Sequence, residues 1–507
     1  MFIRRKQNKS GSVSIQIISK ERGRYKVVES VGVGKTEQEL SSLTLKAHSL
    51  LKQYQGNLEL FTDEEESQYS AILSGISNNQ IQVIGPELIY GRLFDKMGYN
   101  QIQEEMFRHL VLTRLYNPGS KLKAIDYLRN YLGIEKGIQE IYRFLDKLND
   151  SLKEQVEEIS FAYTKRILRG RLGVVFYDMT TLYFESSDED DLRKTGFSKD
   201  GKHQCPQIFL GLLVGYEGNP IGYDIFEGNI FEGHTLIPVL QKFEKRFSLK
   251  KPIVIADSGL LSKSNIRLLE ENHYQYILGG RPRNESEEIK QQILSLSLSN
   301  GESAMLKKSE TQRIVISYSD KRAAKDLANR SRGLKRLEKQ IKGNKLTKSN
   351  INNKGYNKYL TMLGDVTIEI DYRKFHADAQ WDGIKTFVTN TNLKSDKVIE
   401  NYRHLWFIER AFRMNKTDLR IRPIYHRLRN RIEAHICISF VAYSILLELE
   451  RILKRNQSQL SLKQAEELTK RMYQIKIVLP SSGKEKLFPL NMDEKQRELY
   501  SLILKNS

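Results

Sequence analysis

The chain has 507 residues, of which 39% are hydrophobic and 28% charged, and its formal net charge is +20. This length is too great for one ordinary domain, and the composition is that of a soluble globular protein. No apolar run approaches the roughly 20 residues that span a bilayer, and the basic N-terminus lacks the apolar core of a signal peptide.

Two further features of the composition narrow the function. Cys205 and Cys437 are the only cysteines, which excludes a disulfide framework and a cysteine zinc site and favours a reducing cytoplasm. The basic excess is spread along the chain and predicts a polyanion as partner, because each lysine or arginine at a phosphate releases counterions. Nucleic acid is therefore favoured over a merely solubilising basic surface, and a membrane is not expected.

The N-terminal segment, residues 1–55, has the pattern of a small β-meander followed by a helix. Polar and apolar residues alternate in three short runs, at 2–6, 12–18 and 24–31. Thr36 and Glu39 have the spacing of a capping box, which predicts a helix from there to about Gln53. Basic residues in the strands allow DNA contact, and a solvated edge is the alternative.

The next segment, residues 86–169, has helical periodicity throughout. Short linkers such as Asn117-Pro118-Gly119 separate short amphipathic runs. This pattern predicts an α-helical domain that binds DNA or mediates dimerisation. Whether this segment or residues 1–55 would recognise a DNA sequence is left open.

At residue 170 the pattern changes to buried strands. The predicted strands are 172–177, 207–216, 220–227, 252–256 and 274–278, with a helix over about 234–247 and another near Ser264. Three strands, a helix, a strand, a helix and a strand predict a mixed α/β layer over residues 170–280. Asp178 and Asp257 each follow directly after a predicted strand.

A long segment, residues 281–384, then interrupts this layer. It is rich in Ser, Asn and Lys, and it contains a strand-like run at 311–318 and a basic helix at about 320–342. A connection of this length inside a compact layer predicts an inserted domain. The layer resumes over residues 385–455, and residues 456–507 are predicted to form a C-terminal helical tail.

The resumed layer contains a stretch from Tyr402 to Lys416 that is predicted to be one helix, because it has no Pro or Gly and Ser395 precedes it as a possible N-cap. Tyr402, Glu409 and Lys416 are seven residues apart and therefore fall on nearly the same face. The apolar residues of the stretch would hold the helix against a core. Taken alone, the stretch is also compatible with an amphipathic helix that has a solvated charged edge.

Asp178, Asp257 and Glu409 form a set of acidic residues with a specific order. Three carboxylates at one place repel each other unless cations neutralise them. Two Mg²⁺ or Mn²⁺ ions about 3.5–4 Å apart would do so, and would activate a water or a 3′-hydroxyl and stabilise the leaving oxygen. Each aspartate alone could be a turn or cap residue. The stronger signal is the order along the chain. A strand followed by Asp178 precedes a hairpin and a helix, and a second strand followed by Asp257 precedes an insertion and the helix that carries Glu409.

With these motifs the chain resembles the DDE transposases of bacterial insertion sequences, in the insertion-sequence-four-like superfamily known for a YREK signature. The resemblance covers about residues 170–430. Tyr402, Glu409 and Lys416 match the signature, whereas its arginine position is occupied by Leu405. The role of that arginine is open to Arg403, Arg410 or Arg413. The other motifs that carry the resemblance are Tyr177-Asp178-Met179-Thr180-Thr181 and Ala256-Asp257-Ser258-Gly259.

The resemblance implies a ribonuclease H-like catalytic core with an insertion before the glutamate. It implies that Asp178, Asp257 and Glu409 bind two Mg²⁺ (or Mn²⁺) ions and that the protein cuts double-stranded DNA at terminal inverted repeats and joins the ends to target DNA, through a hairpin. It further implies a homodimer on paired ends, a location at the bacterial nucleoid, and DNA contacts by Tyr402 and Lys416.

Further candidates for DNA contact are Arg413 on the same helix and Lys199 and Lys202 in a charged loop that could equally be solvated. Trp381 could stack on a flipped base, although packing is the simpler role. Two other functions stay open. One is a catalytically silent DNA-binding protein derived from a transposase, and the other is a ribonuclease H-like nuclease without strand transfer.

Overall fold

The computed structural model describes residues 1–21, 23–54, 76–77, 80–148, 150–170, 172–198, 201–247, 251–352, 355–363, 367–478 and 484–506. The chain divides into two compact units. The first comprises Met1–Val83 and Tyr473–Asn491, and the second comprises Ile84–Met472 and Met492–Ser507. Within the described ranges, no helix is both long enough and apolar enough to cross a bilayer.

The regular elements are named here in chain order. The strands are β1 (Phe2–Gln7), β2 (Val13–Glu21), β3 (Arg24–Gly34), β4 (Ile81–Val83), β5 (Val174–Tyr183), β6 (Gln207–Val214), β7 (Pro220–Glu227), β8 (Ile253–Ala256), β9 (Gln275–Gly279), β10 (Ser303–Lys307), β11 (Arg313–Tyr318), β12 (Leu360–Leu363), β13 (Thr367–Ile370), β14 (Ile384–Thr389), β15 (Tyr473–Val478) and β16 (Glu485–Pro489). The helices are α1 (Glu37–Tyr54), α2 (Arg92–Met97), α3 (Glu105–Tyr116), α4 (Lys121–Leu132), α5 (Ile138–Lys147), α6 (Asp150–Ile167), α7 (Leu236–Phe247), α8 (Lys263–Glu271), α9 (Glu287–Ser295), α10 (Asp320–Lys342), α11 (Tyr372–Ala377), α12 (Ser395–Arg403), α13 (Trp406–Thr417), α14 (Arg429–Arg455), α15 (Leu462–Thr469) and α16 (Glu494–Asn506).

The first unit contains the antiparallel sheet β1–β2–β3 and the helix α1. A reciprocal capping box starts the helix. The Glu39 carboxylate accepts hydrogen bonds from the backbone N–H groups of Lys35 (2.8 Å) and Thr36 (3.1 Å), and the Glu39 N–H donates to the Thr36 hydroxyl (3.3 Å). Ile15, Leu40 and Ala47 form a small core between sheet and helix.

The first unit also contains a second antiparallel sheet, β16–β15–β4, which differs from the predicted helical tail over residues 456–507. The helix α15 ends at Thr469, and the chain then enters β15 at Tyr473. Ile475 and Ile477 alternate there with Gln474 and Lys476, which is the two-residue period of a strand. The interpretation of the tail as helical was therefore wrong for its central part.

The second unit is built on a mixed sheet with the strand order β10-β11-β14-β9-β8-β5-β6-β7. β5, β8 and β9 are parallel to one another, and the remaining neighbours pair antiparallel. All side chains of β6 are buried, because both faces of the sheet are covered. α7 and α8 pack on one face. α12, α13 and the long buried helix α14 pack on the other.

The helices α2 to α6 do not form a core of their own. Their apolar residues, such as Phe107, Leu110 and Leu145, belong to the same hydrophobic core as α14 and one face of the sheet. The segment 86–169, predicted as a separate helical domain, is thus integrated with the α/β layer in one compact unit.

The predicted insertion also differs from the structure. β10 and β11 lie within residues 281–384, yet they extend the large sheet next to β14. Ile314 and Ile316 face one core and Val315 faces the other, so β11 is buried on both sides. Among the described residues of this segment, the part from α10 to α11 has a separate small core, formed by Leu337, Tyr359, Leu360 and Phe375.

Candidate active site

Asp178 and Asp257 lie side by side at one edge of the parallel part of the sheet. β5 and β8 pair in parallel up to Tyr177 and Ala256, and the two aspartates are the next residues on their strands. Neighbouring strands are about 4.8 Å apart, so the two residues begin as neighbours across the sheet. β9 is the next strand of the sheet. Because Ala256 pairs with Leu278, the following residue, Gly279, lies level with Asp257.

The sequence predicts a strand that ends just before Asp178. In the structure the strand continues past this residue. β5 continues to Tyr183, paired with β6 as far as Gln207. Asp178 therefore lies in the middle of β5, at the point where its pairing with β8 stops. The physical reason is that Met179 to Leu182 are buried and antiparallel-paired, which keeps them extended.

Local backbone bonds position both carboxylates. The Asp178 Oδ1 accepts a hydrogen bond from the Met179 N–H at 2.7 Å. The Asp257 Oδ1 accepts one from the Gly259 N–H at 2.8 Å, which makes Asp257 the cap of the short 3₁₀ turn Ser258–Leu260. Both aspartates are half-buried.

Glu409 reaches this edge from α13, which packs on the sheet through buried Ile408, Ala411 and Phe412. The glutamate side chain itself is exposed. The predicted single helix from Tyr402 to Lys416 is wrong in one respect, because α12 ends at Arg403 and α13 begins only at Trp406.

The break between α12 and α13 is a tight turn of 3₁₀ type. The Leu405 N–H donates to the Tyr402 carbonyl at 3.0 Å, and the Ile408 N–H donates to the Leu405 carbonyl at 3.1 Å. A 3₁₀ helix has three residues per turn, so side chains three positions apart lie on the same side. The residues at this spacing are all buried: Ile399, Tyr402, Leu405, Ile408 and Ala411. Tyr402 and Glu409 thus do not share one helix face: the tyrosine is buried, and the glutamate is exposed.

Tyr402 lies near all three carboxylates. Burial raises the pKa of its phenol well above the usual value, and Asp257, Glu409 and Asp178 raise this pKa further, in that order. Its ring contacts Phe387 with centroids 4.7 Å apart. Its hydroxyl lies against Gly279, where an added Cβ would be only 2.5 Å from the oxygen.

Lys385 is a site residue that the sequence analysis missed. Its Nζ lies 4.5 Å from the centroid of the Tyr402 ring. Burial lowers the pKa of its ammonium, Arg322 lowers it further, and Glu409 acts in the opposite direction. The available signal was that Lys385 is the charged residue of the mostly buried strand Ile384–Thr389, shortly before the glutamate helix.

A cleft of about 640 Å³ opens beside these residues. Tyr402, Lys385 and Ser258 line its side nearest the aspartates. Its far side comes from the segment between α10 and Trp381, including Arg322 and Tyr356. The cleft is wide and polar, which suits an extended charged partner better than a small apolar ligand.

The residues predicted to contact DNA are distributed differently. Arg413 is exposed and Lys416 half-buried on α13, four and seven residues after Glu409. Lys202 is exposed, with its Nζ 5.6 Å from the centroid of the Tyr183 ring. Lys199 lies outside the described residues.

The candidates for the missing signature arginine can now be compared. Leu405 itself is buried in the core, so it serves packing. Arg410 forms a salt bridge with Glu450, which occupies its guanidinium. Arg403 and Arg413 are both exposed. Because its guanidinium is paired with Glu450, Arg410 is the least suited of the three to take the place of the signature arginine.

The donor set suits a hard divalent cation, because carboxylates offer only oxygen ligands. Within the part of the chain that the structure describes, however, no three acidic, histidine or cysteine side chains are gathered closely enough to hold a metal ion. All three carboxylates lie near Tyr402, and those of Asp178 and Asp257 accept hydrogen bonds from backbone N–H groups.

Comparison with known proteins identifies the family of the chain. Residues 169–445, more than half of the chain, match the family described as "Transposase DDE domain". A piggyBac transposase synaptic complex with hairpin DNA is similar at 10% identity and a TM-score of 0.38, over 83% of this chain and 81% of that one. A Mos1 transposase paired-end complex is similar at 13% identity and a TM-score of 0.16, over 37% and 57% of the two chains. Both likenesses are remote, and no curated protein sequence matches the chain.

Proposed function

The chain belongs to the transposase DDE-domain family, and from this premise we propose that Asp178, Asp257 and Glu409 are its catalytic carboxylates. In this proposal the protein cuts DNA at the terminal inverted repeats of its own element and joins the ends to target DNA. The observation that carries the proposal is the shared register of Asp178 and Asp257 at the sheet edge that α13 covers.

The three carboxylates would hold Mg²⁺ or Mn²⁺, with two ions as the expected number. Such ions would supply an activated water or 3′-hydroxyl and would stabilise the leaving oxygen. The chain's own part is to hold the oxygen ligands on rigid elements. β5 and β8 fix the two aspartates, and the packing of α13 fixes the approach of Glu409. Rotation of the side chains away from their backbone partners would complete the ligand set.

The surrounding residues suit a DNA strand. Lys385 and the proposed DNA contacts Tyr402, Arg413 and Lys416 lie on β14, α12 and α13. Cations at these positions would neutralise phosphates on both sides of the cut. The exposed Arg403 and Arg413 are the remaining candidates for the signature arginine, on which a hairpin intermediate would depend.

The proposal extends to the architecture. Three antiparallel strands followed by two parallel ones, with an aspartate on the first and fourth, support a ribonuclease H-like core. The inserted part is best confined to about residues 320–381. We assign DNA recognition or dimerisation to the two N-terminal segments, 1–55 and 86–169, and expect a homodimer on paired ends.

The test is cleavage of a DNA duplex that carries the gene's own flanking inverted repeats, in Mg²⁺, Mn²⁺ or EDTA. Asp178→Asn, Asp257→Asn and Glu409→Gln should each abolish nicking at the repeat boundary while repeat binding persists, because they remove ligand charge and keep side-chain shape. Glu400→Gln is the matched control, since this exposed carboxylate on α12 only pairs with Lys397 at 2.6 Å.

Each outcome separates the candidate functions. Joined products in the wild type identify a transposase, and a hairpin band identifies the subclass. Cleavage without joining would indicate a nuclease. Tight repeat binding without cleavage in any metal would indicate a DNA-binding protein, and a Glu409→Gln variant that cuts at the normal rate would refute the carboxylate assignment.

A further inference from the structure

Two phenylalanines project into solvent from neighbouring loops of the second unit. Phe197 is 75% exposed and Phe231 is 60% exposed. A single exposed apolar side chain is common in soluble proteins and by itself indicates nothing. These two differ because the loops that carry them are fixed to the same buried residue.

That residue is Gln207, which is fully buried at the start of β6. Its Nε2 donates to the Phe197 carbonyl at 2.9 Å and to the Gly228 carbonyl at 2.8 Å. The loops also touch directly, since a Cβ at Gly196 would be 2.5 Å from the Gly228 oxygen. Gly228 is three residues before Phe231, so one buried amide holds both loops.

The two loops lie beyond the carboxylate edge along the direction of β5. Gln207 pairs with Tyr183, five residues after Asp178. At about 3.3 Å per residue this is roughly 17 Å, or about five base pairs of duplex. Phe231 lies toward Asp257, because its ring packs on Gly233, whose Cβ position is 3.4 Å from the Asn265 amide. That amide donates to the Leu260 carbonyl at 2.9 Å, three residues after Asp257.

Two cations next to the strand position of Gln207 favour DNA as the occupant. Lys202 and Arg422 lie over the Tyr183 ring, at 5.6 Å and 5.7 Å from its centroid. Three carboxylates of the same loop are engaged locally: Asp190 by Arg193, Glu189 by the Thr195 N–H, and Asp188 by Arg427 at 3.7 Å. A rigid apolar projection flanked by cations is the arrangement with which proteins open base steps.

Resting on the function proposed above, we propose that Phe197 and Phe231 form a wedge that inserts between stacked bases of the duplex whose scissile phosphate lies at Asp178 and Asp257. The wedge opens a base step within about five base pairs of the cut. Lys202 and Arg422 hold the phosphates beside the opened step.

The first test reads base unstacking without cleavage. The inverted-repeat duplex carries 2-aminopurine at one position at a time, and the fluorescence is measured on binding in EDTA. Wild-type protein should increase the fluorescence at one step several bases from the cut. Phe197→Ala and Phe231→Ala should each remove this increase while the duplex stays bound. Phe488→Ala, which truncates a 43% exposed phenylalanine on β16, is the matched control and should behave as wild type.

The second test uses the cleavage reaction. Phe197→Ala should slow cleavage roughly tenfold, as expected for one lost base stack, and Phe197→Trp should retain the rate. A mismatch placed at the step found by fluorescence should restore cleavage by Phe197→Ala, because that step is already unstacked.

Two results would overturn the wedge: an unchanged fluorescence increase in the double alanine variant, or failure of the mismatch to rescue cleavage. A fluorescence increase that depends on both phenylalanines, in a protein that never cuts DNA, would support the wedge and refute the proposed chemistry. The two proposals can therefore fail separately.

Discussion

At the scale of single residues, the candidate site depends on Gly279, which has no side chain. Gly279 continues the row of Asp178 and Asp257 across the sheet, and the Tyr402 hydroxyl occupies the space where its Cβ would be. A Cβ there would also be 3.0 Å from the Ser258 N–H, in the turn that Asp257 caps. Only glycine allows the tyrosine to lie this close to the aspartates.

We expect Gly279→Ala to lower the free energy of unfolding by about 1–3 kcal/mol, the usual cost of overpacking, and to impair DNA cleavage by displacing Tyr402. Thermal unfolding and the cleavage rate measure the two effects. Adding Tyr402→Phe removes the clashing hydroxyl and should restore part of the stability. Gly173→Ala is the control, because nothing lies within 4 Å of its Cβ position. Equal stability of the two alanine variants would contradict this packing argument.

The three acidic residues of the candidate site could be singled out from the sequence, whereas their surroundings could not, and their catalytic role stays a prediction. Asp178, Asp257 and Glu409 follow apolar runs or lie on an amphipathic helix, and these patterns depend on local sequence. Lys385 belongs to the site only because β14 lies beside β9. No short pattern encodes this pairing, which joins residues more than a hundred positions apart.

At the scale of elements, the junction of α12 and α13 determines how Glu409 is presented. Leu405 is buried at the centre of the 3₁₀ turn, between Tyr402 and Ile408. The three-residue spacing of these buried positions was visible in the sequence. The absence of Pro and Gly suggested a continuous helix, and burial in the core outweighed that local preference.

We expect Leu405→Ala to lower the free energy of unfolding by about 2–4 kcal/mol through the cavity it leaves. Cleavage should fall more than repeat binding does, since α13 would lose its fixed approach to the sheet. Denaturant unfolding, together with cleavage and binding assays, would check this. Leu122→Ala, at a leucine that is 62% exposed on α4, should change stability by no more than about 0.5 kcal/mol. A Leu405→Ala protein as stable as the Leu122→Ala protein would show that the turn is not anchored as described.

Element boundaries show the same division between local and distant causes. The basic helix was predicted at about 320–342, and α10 spans Asp320–Lys342, because its ends and periodicity are local signals. The continuation of β5 past Asp178 and the membership of β10 and β11 in the large sheet depend on partner strands. Strand pairing over long separations was the part of the fold that the sequence did not reveal.

At the scale of the whole molecule, a buried basic cluster joins the helices to the segment after α13. The Arg114 guanidinium donates to the Leu419 carbonyl at 3.3 Å and lies 3.3 Å from His435 Nδ1. His435 Nε2 is 2.8 Å from the Ile421 carbonyl. Burial, together with the charges of Lys121 and Arg431, lowers the pKa of His426 to about 3. Burial also lowers the pKa of His435 well below its usual value.

This cluster predicts acid sensitivity of the fold. His426 stays neutral when folded, whereas the unfolded chain binds a proton below a pKa of about 6.5. Its contribution to stability is therefore complete above pH 6.5 and is lost as the pH falls from there toward 3. At pH 5.5 the loss is about 1.4 kcal/mol for this residue, and His435 adds a loss of the same sign.

Urea unfolding at pH 7.5 and pH 5.5 tests this linkage. His426→Gln removes one titrating group and should reduce the difference between the two pH values by about 1.4 kcal/mol. The double variant with His435→Gln should reduce it further. A pH dependence identical to that of the wild type would show that neither histidine is held neutral in the folded protein.

The order of strands in the large sheet has a consequence during synthesis. β14 lies between β9 and β11, so the sheet cannot close until the chain has been made well past Gly279. Glu409 follows Gly279 by about 130 residues, which a ribosome adds in roughly ten seconds. During that time a nascent chain has both aspartates in place and lacks the third carboxylate. Under the assignment proposed above, competence to cut DNA would therefore arise only late in synthesis, once Glu409 has been added.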